Sequence, residues 1–130
     1  MKKMIIILTV FAVVVGCIIG EMVYENRLYN DLQSDLERIA VSIEKNEEHV
    51  DNPETVELCK KLVKKWESGK RVLLILQNHN TVRALDDKIV SLESVVKSDN
   101  YNDAVIFVTS AINYIDDILL DGIPFLSNIL

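Results

Sequence analysis

Few residues in this chain could do chemistry together. Its two histidines, His49 and His79, fall in polar segments between apolar stretches, and His79 precedes the adjacent carboxylates Asp86 and Asp87. A histidine beside a carboxylate can bind a metal ion or move a proton. His79 and Asp86 would lie about two helical turns apart, however, and none of the short spacings of zinc sites occurs. The pattern favours a histidine in a polar turn, so no metal ligand is predicted.

The other acidic pairs, Glu47-Glu48 and Asp116-Asp117, consist of neighbours along the chain. Neighbouring residues point in different directions on a helix, so the two carboxylates of a pair do not converge on one atom. The chain also lacks a calcium-loop pattern, a serine-nucleophile motif and a glycine-rich phosphate loop. The sequence therefore predicts no enzyme, no catalytic residue and no cofactor. A hydrolase would need two carboxylates that meet across helices, and nothing singles out such a pair.

A strip of basic residues lies near the middle of the chain and consists of Lys60, Lys61, Lys64, Lys65, Lys70 and Arg71. The strip could contact teichoic acid or lipid headgroups, or it could form ion pairs with Glu57, Glu67 and the acidic residues of a neighbouring helix. The second interpretation is favoured because opposite charges on neighbouring helices suffice. Residues 21–130 carry all 20 Asp and Glu of the chain but only 12 Lys and Arg. This acidic balance disfavours electrostatic binding to nucleic acid and to anionic lipid headgroups.

A charge-free run over residues 4–20 lies directly behind Lys2 and Lys3. As a helix it would be roughly 26 Å long, close to the thickness of the hydrocarbon core of a bilayer. Arg27 is the only basic residue in the next fifteen, so the positive-inside rule places the N-terminus in the cytoplasm. The prediction is a single-pass anchor over residues 1–24 that binds the lipid bilayer through residues 4–20.

Cys17 offers a second way of attachment. Residues 14–17, Val-Val-Gly-Cys, resemble a loose bacterial lipobox, in which Cys17 would be lipidated and become the mature N-terminus. The residues after Cys17 stay apolar, whereas lipoproteins usually turn polar there, and the run can span a membrane uncut. An uncut anchor is therefore favoured, with lipidation of Cys17 as the alternative. Cys59 falls on an apolar helical stripe, where core packing is expected.

After the anchor, apolar residues recur at alternating spacings of three and four, which indicates helices. No Pro or Gly occurs between Glu21 and Asn52, so the anchor should continue straight into a soluble helix that ends near Asn46. A second helix should begin at Pro53, and a polar turn around His79 should separate it from a third. The predicted apolar stripes are Tyr29, Leu32, Leu36, Ile39 and Ile43 in the first helix, Val56, Cys59, Leu62 or Val63, Trp66, Leu73 and Leu76 in the second, Val82, Leu85, Ile89, Leu92 and Val96 in the third, and Tyr101, Val105, Val108, Ile112, Ile115 and Leu119 in the fourth.

Helices of this length joined by short turns pack antiparallel. The predicted fold is all-α, with an N-terminal transmembrane helix that is continuous with an antiparallel up-down four-helix bundle. The bundle should occupy residues 25–122 outside the cytoplasm, and an apolar tail should follow over residues 123–130. Gly69 interrupts the second stripe and should weaken that helix by about 1 kcal/mol.

Two apolar segments exceed what a bundle core needs. Residues 72–76 are apolar on all sides of their helix, and the tail is too apolar for a solvated end. Residues 72–76 should be either central in the bundle or partly covered by another surface, and the tail should fold back along the bundle or insert against a partner. Such a partner could be another membrane protein. The candidate contact residues are Val72, Leu73, Leu74, Ile75, Leu76, Phe125, Leu126, Ile129 and Leu130.

The chain resembles a family of short, uncharacterised proteins from Gram-positive spore-forming bacteria, defined only as a domain of unknown function. The resemblance rests on Lys64-Lys65-Trp66, on the turn around His79 that leads into Leu85-Asp86, and on the terminal residues 128–130. It implies an N-terminal membrane anchor followed by an acidic helical domain over essentially the whole chain. It implies no activity, so no functional residue carries over.

The sequence as a whole predicts a protein of the cell membrane that displays a helical domain on the extracytoplasmic side. It would act by binding, as an accessory or partner subunit of a membrane complex. The alternative is a sensor or ectodomain that binds a small ligand between the helices.

Overall fold

The structure is a computed structural model that describes residues 1–76 and 78–120 of the chain. These residues form four helices, which are α1 (Lys2–Lys45), α2 (Pro53–Leu76), α3 (His79–Lys97) and α4 (Tyr101–Leu120). No strand occurs among the described residues, so the predicted all-α class is confirmed.

The first helix is continuous from the charge-free run into the folded domain. It has 44 residues and is therefore about 66 Å long. Its first buried residue is Glu25, so the N-terminal half of α1 projects beyond the other helices. The prediction of one uninterrupted helix that ends near Asn46 is confirmed, because α1 ends at Lys45.

Asparagine side chains fix the starts of the other three helices. The Asn52 Oδ1 accepts a hydrogen bond from the Thr55 backbone N–H at 3.0 Å. Asn78 Oδ1 accepts one from Asn80 N–H at 2.9 Å, and Asn100 Oδ1 accepts one from Asp103 N–H at 3.1 Å. Each bond satisfies a backbone donor that has no partner within its helix.

In the core, each helix packs against two others. α1 contacts α2 and α4, and α3 contacts the same two helices. The stripes that the sequence predicts for α1 and α3 are buried in full, and Cys59, Leu62, Trp66 and Leu73 of α2 join them. Burial of these apolar side chains is the main stabilising contribution of the bundle.

The fourth helix presents a different face from the predicted one. Its buried residues are Ala104, Val108, Ala111 and Ile115. Of the predicted stripe, only Val108 and Ile115 are buried, and the other members are half-buried. Because α4 is apolar on most sides, spacing alone does not select its inner face, and the small alanines allow the helix to approach its neighbours closely.

Three contacts give the register of α1 against α2. Ser42 Oγ lies 2.6 Å from Thr55 Oγ1 in a buried pair of hydroxyls. The Lys65 ammonium donates to Asp35 Oδ2 at 2.7 Å. A Cβ placed on Gly69 would lie 2.6 Å from Leu28 Cδ2. From the first contact to the third, the residue numbers fall along α1 and rise along α2, so the two chains run in opposite directions.

The ends of the bundle can be named from these contacts. We call the end formed by residues 21–28 of α1, residues 70–76 of α2, residues 79–83 of α3 and the last turn of α4 the anchor end. The opposite end, with the turns over residues 46–52 and 98–100, is the distal end. A contact between the Gln33 amide and Asp116 places the last turns of α4 beside α1 toward the anchor end.

Candidate functional site

The last turn of α2 is the described part of the predicted partner contact. Leu73 is buried in the core, and Val72 and Leu74 are half-buried. Ile75 is 84% exposed, so this segment faces the core on one side and solvent on the other. The prediction for the side chain of Leu76 and for Phe125, Leu126, Ile129 and Leu130 lies outside the described residues. α4 ends at the same end of the bundle with Leu120, which is also 84% exposed.

Asp86 contacts Trp66 and Lys70 at the edge of the core, and it does not pair with His79. Its Oδ1 accepts a hydrogen bond from Trp66 Nε1 at 2.8 Å and another from the Lys70 ammonium at 3.1 Å. The fully buried Trp66 ring thus places its one polar atom against a carboxylate. His79 is exposed, and it is the first residue of α3, whereas the sequence placed it in the turn before that helix.

The basic strip forms ion pairs at two of its positions. Lys65 pairs with Asp35 of α1, and Lys70 pairs with Glu67 at 2.9 Å as well as with Asp86. The hydrogen bond to Glu67 and the contact with Asp86 raise the pKa of Lys70, so its ammonium stays charged at neutral pH. Pairing with α1, which the sequence favoured over an external ligand, is therefore present for Lys65.

Two turns meet at the distal end through Asp99. Its Oδ1 accepts a hydrogen bond from the Val50 backbone N–H at 2.8 Å, and its Oδ2 lies 3.8 Å from His49 Nδ1. Asp99 has a φ of 56°, in the left-handed region that aspartate tolerates better than most residues. The bond to Val50 connects the α1–α2 turn to the α3–α4 turn.

His49, Asp51 and Asp99 together form a cluster that the sequence did not reveal. One ligand atom from each lies within 4.8 Å of the other two, and all three residues are exposed. The residues come from turns almost fifty positions apart, so no local spacing signals the group. Ligands with such exposure lack the supporting contacts that orient a strong metal site. The Asp99–Val50 bond accounts for the geometry as a connection between turns.

The two cysteines lie in opposite environments. Cys17 is exposed on the projecting part of α1, and Cys59 is buried in the bundle. Burial raises the pKa of the Cys59 thiol to about 12, and the neighbouring carboxylate of Glu93 acts in the same direction. Cys59 therefore remains protonated at neutral pH and reacts slowly with thiol reagents.

An open groove of about 590 Å³ runs along α3 and α4. The Lys88 ammonium crosses it, donating to Ser110 Oγ at 2.8 Å and lying 5.6 Å from the centre of the Tyr114 ring. These contacts engage Lys88 and Ser110, while Thr109, Asn113 and Asp117 also line the groove. The groove is a surface depression, whereas the sensor alternative predicts a pocket between the helices.

The projecting half of α1 is the largest apolar surface that the structure describes. α1 is long and apolar enough to cross a membrane, and no residue of its most apolar 18-residue window is buried. Such a helix could be a membrane anchor or a signal sequence. Among the described residues, it is the only helix with these properties.

Comparison with known families gives one match. A family model described as a domain of unknown function, DUF4363, matches residues 22–129. The match begins two residues after the end of the charge-free run and confirms the expectation of a family without a known activity. No match was found among curated proteins or among solved structures.

Proposed function

The chain belongs to the DUF4363 family, and we propose that it is a single-pass membrane protein whose extracytoplasmic helical module binds another membrane protein as an accessory subunit. The observation that supports the proposal most strongly is that the two halves of α1 lie in different surroundings. One uninterrupted helix has a fully exposed apolar half and a second half that packs into the bundle. Water penalises so large an exposed apolar surface, and a bilayer removes that penalty.

The charges around the apolar half support the orientation. Lys2, Lys3 and the N-terminal amine precede it, whereas Arg27 is the first basic residue after it. Because positive charges near a span remain cytoplasmic, the bundle belongs on the outer side. The α1–α2 contacts, which run in opposite directions along the two helices, support an antiparallel up-down bundle on this anchor.

A binding role agrees with the polar groups of the bundle. The carboxylates of Asp86 and Asp99, the two considered above as partners of a histidine, are engaged in contacts that stabilise the fold. The proposal therefore includes no enzymatic activity. A sensor role has weaker support, since the groove along α3 and α4 is open and its lysine is already bonded within the protein.

Membrane attachment is tested by fractionating bacterial cells that express the full chain. We expect the protein to remain in the membrane pellet after alkaline carbonate extraction, with the mass of the uncut polypeptide. Replacement of Val10 and Val14 by arginine should release it, because charged residues at the centre of a span oppose insertion. External protease should digest the bundle in intact spheroplasts.

The matched control is Cys17→Ala, which keeps the span apolar and removes the acceptor of a lipid. An uncut anchor predicts that this variant stays in the membrane. Wild-type protein that begins at a lipidated Cys17, with the uncut mass restored in Cys17→Ala, would establish the lipoprotein alternative, and a soluble, uncut wild-type chain would refute the anchor altogether.

The tail is tested by deleting residues 123–130 from the full chain. If the tail contacts a membrane partner, the deletion should abolish the cross-linked species that wild-type protein forms in its native membrane. The bundle should keep its melting temperature, because the part of the core that the structure describes lies within residues 28–115. An unchanged cross-linking pattern would argue against the tail as the contact.

A further inference from the structure

The anchor end of the bundle lies level with the end of the apolar run. Gly69 packs against Leu28, and Ile75 lies six residues farther along α2, which is about 9 Å. The same distance from Leu28 back along α1 reaches Met22. Met22 is two residues, or about 3 Å, from Gly20, where the charge-free run ends. Ile75 therefore lies at the depth where α1 would leave the hydrocarbon core.

The side chains at this end suit a membrane interface. Ile75 is an exposed large apolar residue, and Tyr24 on α1 is exposed at nearly the same level. Tyrosine has an apolar ring and a polar tip, and it is enriched where lipid meets water. An isoleucine with this exposure gains free energy when it moves from water into an apolar environment.

The charges that α2 and α3 carry at this end are also unlike those of the rest of the domain, while α4 contributes one exposed carboxylate, Asp117, in its last turn. No carboxylate occurs between Glu67 and Asp86, and this stretch contains Lys70, Arg71 and Arg83. Arg71 and Arg83 are exposed, one on each side of the α2–α3 turn. The α1–α2 turn at the distal end instead carries Glu47, Glu48 and Asp51. On α1, Glu21 is half-buried and Glu25 is buried, so neither is a fully exposed negative charge.

We propose that the last turn of α2 and the first turn of α3 rest on the bilayer that holds α1, with Ile75 entering the interface and Arg71 and Arg83 contacting anionic lipid headgroups. The proposal rests on the membrane anchoring proposed above and adds a second contact with the same membrane. The occupant of the apolar end of α2 is then lipid, where the sequence suggested a protein partner. Such a contact would limit the tilt of the bundle on its anchor.

The test uses the full chain, in a Cys17→Ala background, reconstituted into phosphatidylcholine vesicles with or without phosphatidylglycerol. Ile75→Cys is labelled with a polarity-sensitive fluorophore, and Val41→Cys is the matched control. Val41 is 63% exposed but lies thirteen residues beyond Leu28 toward the distal end, which is about 20 Å. The buried Cys59 thiol is protected from the reagent.

We expect the label at Ile75, and not the label at Val41, to shift its emission to shorter wavelength and to be quenched by lipids that carry a nitroxide. Quenching should increase with phosphatidylglycerol and decrease when Arg71 and Arg83 are both replaced by glutamine. A label at Ile75 that reports water, as at Val41, overturns the proposal. So does a shielded label that the lipid nitroxide does not quench, because the tail or another protein surface then covers the site.

Flotation of the same vesicles separates this result from the anchoring itself. Protein that floats with the vesicles but shows a water-exposed Ile75 label refutes the interface contact alone. Protein that does not float refutes the anchor on which the contact depends.

Discussion

Replacing Trp66 by alanine should lower the free energy of unfolding of the bundle by about 3–5 kcal/mol, the range for removing a large buried aromatic side chain. Trp66 is fully buried, and it is the largest side chain in the core. Its removal would leave a cavity bounded by α1, α2 and α3, and it would deprive Asp86 of the Nε1 donor. Since small domains have total stabilities of roughly 5–15 kcal/mol, this change should approach the limit of folding.

The measurement is urea unfolding of the full chain in detergent micelles, followed by far-ultraviolet circular dichroism. Tryptophan fluorescence cannot serve, because Trp66 is the only tryptophan. The helical signal that disappears should be that of the bundle, while the apolar half of α1 remains helical in the micelle.

Phenylalanine at position 66 separates packing from hydrogen bonding. Trp66→Phe keeps much of the apolar volume but loses the bond to Asp86, and the cost should be about 2 kcal/mol. Lys70 would still contact Asp86, so the carboxylate keeps one partner. Val90→Ala is the surface control, with an expected change within about 0.5 kcal/mol. A loss below about 1 kcal/mol for Trp66→Ala would show that the helices do not pack around this ring.

The sequence predicted the buried face of a helix correctly where polar residues lie on both sides of the apolar stripe. In α1 and α3 the apolar positions alternate with charged ones, so one face alone could be buried, and that face is buried. The caps of α2, α3 and α4 are likewise local, because in each the asparagine side chain bonds to a backbone N–H two or three residues farther along the chain. Local signals of this kind survive folding because tertiary contacts have little reason to override them.

Other features depend on contacts between distant segments. α4 buries Ala104 and Ala111, which no apolar pattern distinguishes from their larger neighbours. Thr55 is fully buried although it is polar, because Ser42 of α1 supplies its hydrogen-bond partner. The His49, Asp51 and Asp99 cluster needs two turns to meet. Such arrangements follow from packing geometry, which the linear pattern does not contain.

Gly69 is the position where the sequence interpretation and the structure differ most. The sequence suggests a residue that merely weakens α2, in which case alanine would stabilise the helix by about 1 kcal/mol. In the structure, Gly69 is where Leu28 of α1 packs directly against the backbone of α2. The absent side chain thus allows the two helices to approach.

We expect Gly69→Ala to lower the free energy of unfolding by about 1 kcal/mol. The new Cβ must displace the buried Leu28 side chain, and the cost of this displacement should exceed the gain in helix propensity that alanine brings. Gly69→Leu should cost more, about 3 kcal/mol, since a larger side chain must separate the helices. Urea unfolding by circular dichroism measures both changes. Ser68→Ala is the control at the exposed neighbouring position, where the change should stay within about 0.5 kcal/mol.

A double-mutant cycle with Leu28→Ala identifies the cause. Alone, Leu28→Ala should cost about 2–3 kcal/mol through the cavity it creates. Combined with Gly69→Ala it should cost less than the sum, because the Cβ at position 69 then occupies space that Leu28 has vacated. Additive costs would mean that the two residues do not share this space. An increase in stability for Gly69→Ala alone would mean that Leu28 moves aside freely, and the close approach of α1 and α2 at this level would then need another explanation.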